Sequence, residues 1–398
     1  MTQAGMRSWL AGIAAAALMA SAASAQTIKI GVVNSFSGPQ ASFGDLTDKA
    51  FRLYMKLHGS ELPAGVKIEL LNRDDGGPNP DKAKQLAQEL IVRDRVDMIA
   101  GIAFTPNAMA IAPIATQAKV PVVITNAGTA VITTRSPYIV RFSFTVNQHC
   151  VLLGQWAAKT LKKTYTLVAD FAPGHDCEED FTKAYKGAGG EVAGALRVPV
   201  ATNDFAPFMQ RVKDANPNAL MVFIPAGRTA TALMKAFSDL GLKGAGVKLI
   251  GTGDISPEDE LPNMSDDAIG SISMFHYSAH GDRPANKAFV AAWHKEYGEQ
   301  STPNFVAAAS WDAMAGIFAA IKDQKGKMNA DRTVEVLRNF KMPDSPRGPS
   351  WIDPETRDIV QNEYLREVRR VDGQLVNFEL ETAGVAVKDP WKASRNMK

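Results

Sequence analysis

Three short stretches carry side chains that could do chemistry. His149-Cys150 and His175-Asp176-Cys177 each set a thiol beside an imidazole. Thiolates and imidazoles are zinc ligands, and two thiols in an oxidising compartment can instead form a disulfide. Two cysteines do not make a disulfide framework, so the expectation for so long a chain is two incidental thiols; a disulfide comes next and a metal last. Asp170, His175 and Asp176 could be drawn as an acid/base group, but no nucleophile accompanies them, and a loop histidine among carboxylates is ordinarily solvated. The third stretch, AGIAFTPNAMAIAP at residues 100–113, offers binding rather than catalysis. Thr105 reads as an N-cap and Pro106 as the first helical residue, so a strand there hands over to a helix. Unpaired amides and the positive end of the helix dipole draw an anion to such a turn, a carboxylate included.

Signatures of other chemistries do not occur. Gly31, Gly38 and Gly44 lack dinucleotide-loop spacing, and there is no GxxxxGK[ST], GxSxG, HExxH or CxxC. No cofactor, no metal and no enzymatic activity are expected.

The elements that would position the third stretch alternate. IKIGVV from Ile28 is a short β-branched run, followed by a helical stretch over residues 44–58, then the strand KIELLNRDD. Ala83, Leu86, Ala87, Leu90 and Ile91 fall at helical spacing before a strand at residues 96–100. Strand and helix in alternation predict a parallel sheet. The plan repeats over residues 202–237. Phe205, Phe208, Met209 and Val212 form a helical stripe, Asn216-Pro217-Asn218 a turn, and residues 220–224 a buried strand. The helix after the first copy turns Ile111, Ile114, Ala115 and Ala118 inward; its counterpart turns Ala230, Leu233, Met234 and Phe237 inward. PAGRTA at residues 225–230 then occupies the turn equivalent to Thr105-Pro106. Two doubly wound, Rossmann-like α/β lobes with a cleft between them follow, and ligands in open α/β sheets bind at the carboxyl ends of the strands. Near the end, Asp372-Gly373 between strand-like runs reads as a hairpin.

Size and charge agree with this plan. A chain of 398 residues with 45% hydrophobic content exceeds what one core accommodates. Its first 25 residues differ in kind: Arg7 precedes an apolar run at residues 9–20 that ends in small residues, with Ala23 and Ala25 placed for cleavage before Gln26. This is the pattern of an export signal, too short for a bilayer span of roughly 20 residues. Removing Arg7 takes the formal charge from +2 to +1, so neither nucleic acid nor an anionic membrane is implied as a partner.

Several segments together resemble one family: IKIGVVNSFSGPQASFGD, FTPNAMAIAPIATQAKVPVVITNAGTA, SPYIVRFSFT, DFAPGHDCEEDF, VFIPAGRTAT and GTGDIS. The chain is similar, from about Ile28 to about Gly373, to the type I periplasmic binding proteins of the branched-chain amino acid transport family. The resemblance implies a monomeric, non-enzymatic receptor. Such a receptor captures a small carboxylate and delivers it to an ABC permease and ATPase complex in the inner membrane. It also implies site residues. Phe104-Thr105 and Ala127-Gly128-Thr129 would hold the ligand carboxylate, with Phe43 over the ligand. Pro173, His175, Pro225 and Ala226 would approach from the second lobe, and Asp254 would stand near the acid that holds an amino-acid ammonium.

Two departures bear on the ligand. Pro173-Gly174-His175 stands where the loop after Asp170 usually has an aromatic, and Phe104 stands where a small hydroxyl residue is common. FTPNAMA, APGHD, SPRG and IDPETRDIVQNEY look most like the branch that takes up benzoate-like aromatic acids. Phe43 and Phe104 would then sandwich a ring, and His175, His276 or Tyr277 would meet its substituents. The rival readings are an amino-acid binder and a periplasmic sensor subunit. Lobe 1 is expected to combine residues 28–146 with 278–348, and lobe 2 residues 147–277 with 349–390. Crossovers are expected near residues 145–147, 276–279 and 347–353.

Overall fold

The computed structural model describes residues 26–395; the export signal read from residues 1–25 lies outside them. Fourteen strands are described: β1 (Gln26–Asn34), β2 (Val66–Asp74), β3 (Met98–Gly101), β4 (Val122–Ile124), β5 (Ile139–Arg141), β6 (Lys163–Ala169), β7 (Glu191–Val198), β8 (Ala219–Phe223), β9 (Lys248–Thr252), β10 (Ile272–Phe275), β11 (Lys341–Met342), β12 (Ser350–Ile352), β13 (Ile359–Val371) and β14 (Gln374–Val387). The first five form a parallel sheet in the order β2-β1-β3-β4-β5. The second sheet carries the parallel run β7-β6-β8-β9-β10, the same order displaced by five strands.

Short apolar strands explain why both faces of each sheet are covered. In β1, Ile28, Ile30 and Val32 pack against Met314, Ile317 and Phe318 of the helix Phe305–Asp323. Val33 turns to the other face, toward Ile111 and Ala115 of the helix Thr105–Ala118. The helix Phe305–Asp323 is long and apolar enough to cross a membrane, yet most of it is buried against the first sheet and the helix Ala41–His58. In the second sheet, Leu220, Val222 and Ile224 meet Leu233, Met234 and Phe237 of the helix Arg228–Asp239, as the inward stripe predicts.

The chain crosses between the sheets after β5 and after β10, and returns through β13. That strand starts on the first core at Ile359 and ends on the second at Val368, pairing antiparallel with β10 on the way. Its hairpin to β14 turns on Asp372 and Gly373, both at positive φ, the backbone of a two-residue primed turn. Buried arginines tie the crossing segments together. Arg347 donates to Phe142 O, Ser143 O, Gln361 and Asp312, while Arg366 donates to Ser273, Glu258 and Tyr277 O.

Cys150 and Cys177 are not incidental thiols: they form a disulfide joining the helices Val146–Thr160 and Ala172–Gly187. Those helices already lie close, since a Cβ on Gly154 would stand 2.7 Å from Phe181 O. Close backbone packing is what brings the two cysteines within bonding reach, and sequence spacing carries no trace of it.

Candidate ligand-binding site

In a 2-1-3-4-5 sheet, chain connections diverge between the first and third strands, leaving a crevice at their carboxyl ends. Both sheets have this order, and their crevices face each other. A small cavity lies between them. From the first lobe it is lined by Phe43 after β1, by Phe104 and Thr105 after β3, by Asn126 and Gly128 after β4, and by Phe144 after β5. Phe171 and Pro173 after β6, Phe223 and Pro225 at β8, and Asp254 after β9 line it from the second.

The helix Thr105–Ala118 starts one residue earlier than the sequence suggests. Phe104, in extended conformation, is the N-cap and makes no side-chain cap, so Thr105 is the first helical residue. Its hydroxyl is thereby freed to donate to Thr129 Oγ1 at 3.1 Å, and the Thr129 N–H points back at Thr105 Oγ1 at 3.4 Å. Pro106 has no N–H and the Ala108 N–H donates to Phe104 O, so the Thr105 and Asn107 amides are the ones this helix start leaves without a side-chain cap, the condition for anion binding. Arg141 fixes the neighbouring loop. Its buried guanidinium, paired with Asp358, takes Ala127 O at 3.2 Å and Thr129 O at 2.7 Å. Because the C=O and N–H of one peptide point in opposite directions, drawing those carbonyls to Arg141 turns the N–H groups of Gly128 and Ala130 away from it.

Five phenylalanines, Phe43, Phe104, Phe144, Phe171 and Phe223, supply the aromatic part of the lining. Phe43 and Phe104 touch at 6.0 Å between centroids, tilted by 48°. Parting two rings to admit a third takes about twice the 3.5–4 Å of a contact, so this pair forms a wall rather than the expected sandwich. A matching pair, Phe171 and Phe223, stands 6.2 Å apart on the second lobe. The loop after Asp170 therefore keeps an aromatic, Phe171, contrary to the sequence reading that Pro173-Gly174-His175 replaces it.

Asp254 is the one ionisable side chain in this lining. Burial pushes its carboxyl up to about 6, against the opposing hydrogen bond from Thr252 Oγ1 at 2.7 Å. Burial also raises Asp176, to about 6, helped by the neighbouring Asp180 and opposed by the Thr129 hydroxyl of the other lobe.

Other sequence-expected residues stand elsewhere. Ala127, Thr129 and Ala226 are buried directly beside lining residues. His175 points outward, paired with Asp170 at 2.7 Å and two-fifths exposed. His276 is fully buried behind Phe144, among His149, Phe275 and Phe305, with both ring nitrogens unpartnered. Tyr277 is also fully buried. Donor atoms of His149, His276 and Glu363 lie within 4.8 Å of one another. Glu363 is already held by His149 Nδ1 at 2.7 Å, and the charges of Arg347 and Arg366 push His276 toward its neutral form, after burial itself. The same charges oppose a divalent cation.

The lobes are drawn together over the cavity. Gln40 Nε2 donates to Thr229 Oγ1 at 2.8 Å, Arg228 N–H to Pro39 O at 3.1 Å, and Asn304 Nδ2 to Asp259 Oδ1 at 2.7 Å. Gly227, at φ +88°, permits this approach, since a Cβ there would lie 2.7 Å from Pro39 O.

Residues 27–374 match the family model described as periplasmic binding protein. The chain is 41% identical over 375 residues to Leu/Ile/Val-binding protein homolog 6 of Brucella melitensis, covering 94% of this chain and 96% of the relative. Among solved structures it is similar to a solute-binding protein of an ABC transporter from Rhodopseudomonas palustris BisB5, in complex with 3,4-dihydroxybenzoic acid. That likeness has 47% identity and a TM-score of 0.88, over 92% of this chain and 99% of the other. A second R. palustris solute-binding protein, in complex with 4-hydroxybenzoate, is 43% identical at the same TM-score, over 92% and 100%.

Proposed function

The chain belongs to the periplasmic binding protein family, and we propose that it captures a benzoate-like aromatic acid for an ABC importer and releases it chemically unchanged. The observation that carries this reading is the cavity's division of labour. An uncapped helix start at Thr105 and the loop held by Arg141 supply donors for a carboxylate, while Phe43, Phe104, Phe144, Phe171 and Phe223 supply apolar walls for a ring. The hydroxybenzoate ligands of the R. palustris relatives support the same ligand class.

Capture follows from closure. Ligand contacts from both lobes favour the closed arrangement over the open one, and a ligand shifts that equilibrium by its differential affinity alone. Contacts such as Gln40–Thr229 join the lobes in this arrangement, and an open one would lack them, which would let a permease tell loaded protein from empty by shape. The lobes pivot on the segments following β5 and β10. Cleavage before Gln26, set by the small residues Ala23 and Ala25, would release the chain into the periplasm.

A thermal-shift screen of aromatic acids and amino acids tests the reading, because a bound ligand raises stability by mass action. Hydroxybenzoates are expected to raise Tm in proportion to the logarithm of their concentration, with leucine, isoleucine and valine giving no shift. A shift with the amino acids and none with any benzoate would replace the aromatic-acid reading with the amino-acid one.

A further inference from the structure

We propose that Asp254, oriented by Thr252, selects ligands bearing a ring hydroxyl by accepting a hydrogen bond from it at the second-lobe end of the cavity. The inference rests on the aromatic-acid reading and adds a basis for discrimination within that class.

A buried carboxylate is tolerated where something compensates its charge. Arg347, Arg366 and Arg141 each compensate a buried acid close by, namely Asp312, Glu258 and Asp358. Asp254 differs from these. It is 4% exposed, and among the described residues no lysine, arginine or histidine hydrogen-bonds it. Its side-chain partner is the Thr252 hydroxyl at 2.7 Å, which holds Oδ2 and fixes the carboxyl plane. Around it stand Phe171 and Phe223 on its own lobe and Phe43, Phe104 and Phe144 opposite, while the charges of His149 and Arg366 reach it through space without a hydrogen bond.

The donor groups for a ligand carboxylate belong to the first lobe, at Thr105 and Gly128, whereas Asp254 belongs to the second. An acid whose carboxylate sits on the first lobe turns the far edge of its ring toward the second. A second anionic group there would be repelled, and a bare C–H edge would leave a buried acceptor unpaired. A phenolic O–H fits: it is a donor, neutral at periplasmic pH, and far less acidic than a carboxylic acid, so the proton stays on the ligand and the hydrogen bond is charge-assisted. Sites built to bond a hydroxyl reject the analogue lacking it far more strongly than apolar pockets reject a missing methylene.

The test is calorimetric titration of the purified protein with 4-hydroxybenzoate, 3,4-dihydroxybenzoate, benzoate and 4-fluorobenzoate, repeated on Asp254→Asn and Thr252→Val. Wild type is expected to prefer one or both hydroxylated acids to benzoate by on the order of 10–100-fold, the range of one hydrogen bond to a charged group. Asp254→Asn should lower affinity for the preferred hydroxylated acid at least tenfold while benzoate and 4-fluorobenzoate bind as well as before or better. Thr252→Val should shrink the preference several-fold by releasing the carboxyl plane. Equal wild-type affinities for benzoate and both hydroxylated acids, or a preference unchanged in Asp254→Asn, overturns this proposal and leaves the aromatic-acid reading standing. Failure of wild type to bind any of the four acids overturns that reading and this proposal together. Benzoate binding by Asp254→Asn shows that the variant is folded, and a Thr252→Val protein that does not fold leaves the Asn comparison decisive.

Discussion

At the scale of single residues, the cavity joins groups whose roles depend on water being kept out. Asp254 shows this through its proton. Burial lifts its carboxyl from the ordinary 3.8 to about 6, so the folded protein favours the neutral form more than the unfolded chain does. Its contribution to stability is therefore largest at low pH and is lost as pH rises through about 6. Asp254→Asn keeps the side chain permanently neutral. It should raise the Tm of ligand-free protein at pH 7.5, by an energy on the order of 2–3 kcal/mol, and the gain should fall to about half at pH 5. Melting curves at the two pH values check this, and a variant less stable than wild type at pH 7.5 would contradict it. Phe104 and Thr105 were legible because Pro106 marks a helix start after an apolar run. Phe144 was not, since it follows β5, a strand of three residues too short to show a period. His175 illustrates the opposite error. It lies two residues beyond Pro173 in the helix Ala172–Gly187, and about 100° of turn per residue carries it from the cavity side to solvent.

At the scale of elements, the repeated order of strands puts each lobe's binding loops in place. The alternation of strand and helix, the inward stripes and the Asp372-Gly373 hairpin could be read directly, because each rests on a local period or turn. The long reach of β13 across both cores could not be read, because antiparallel pairing with β10 joins residues nearly a hundred positions apart. The Cys150–Cys177 disulfide is of the same kind, depending on two helices packing side by side. At a sequence separation of 27, the cross-link restricts the unfolded chain by roughly 3–4 kcal/mol in the loop-entropy description. Cys150→Ala should therefore lower Tm by several degrees, and added reductant should lower wild-type Tm similarly without affecting the variant. A wild type insensitive to reductant after full reduction, verified by thiol titration, would show that the bridge adds no stability.

At the scale of the whole molecule, two halves of one architecture meet over a single cavity, and each contributes something the other lacks. In the proposed function, the first supplies amides and hydroxyls to a carboxylate, and the second supplies Phe171, Phe223 and Asp254, which line the same cavity, to the body of the ligand. Gly227 and Pro39 set how closely the halves approach. Composition and repetition made the two-lobed plan visible, but the cavity's aromatic balance emerged only once both sets of loops faced each other. The most direct test of shared capture is calorimetric titration of 4-hydroxybenzoate into wild type, Thr105→Val and Phe171→Ala, one substitution per lobe. Wild type is predicted to bind one equivalent, and each variant to bind about tenfold or more weakly, the loss expected for one charge-assisted hydrogen bond or one aromatic contact. Absence of binding heat with wild type across temperatures, or full affinity retained by either variant, would contradict a ligand gripped from both sides.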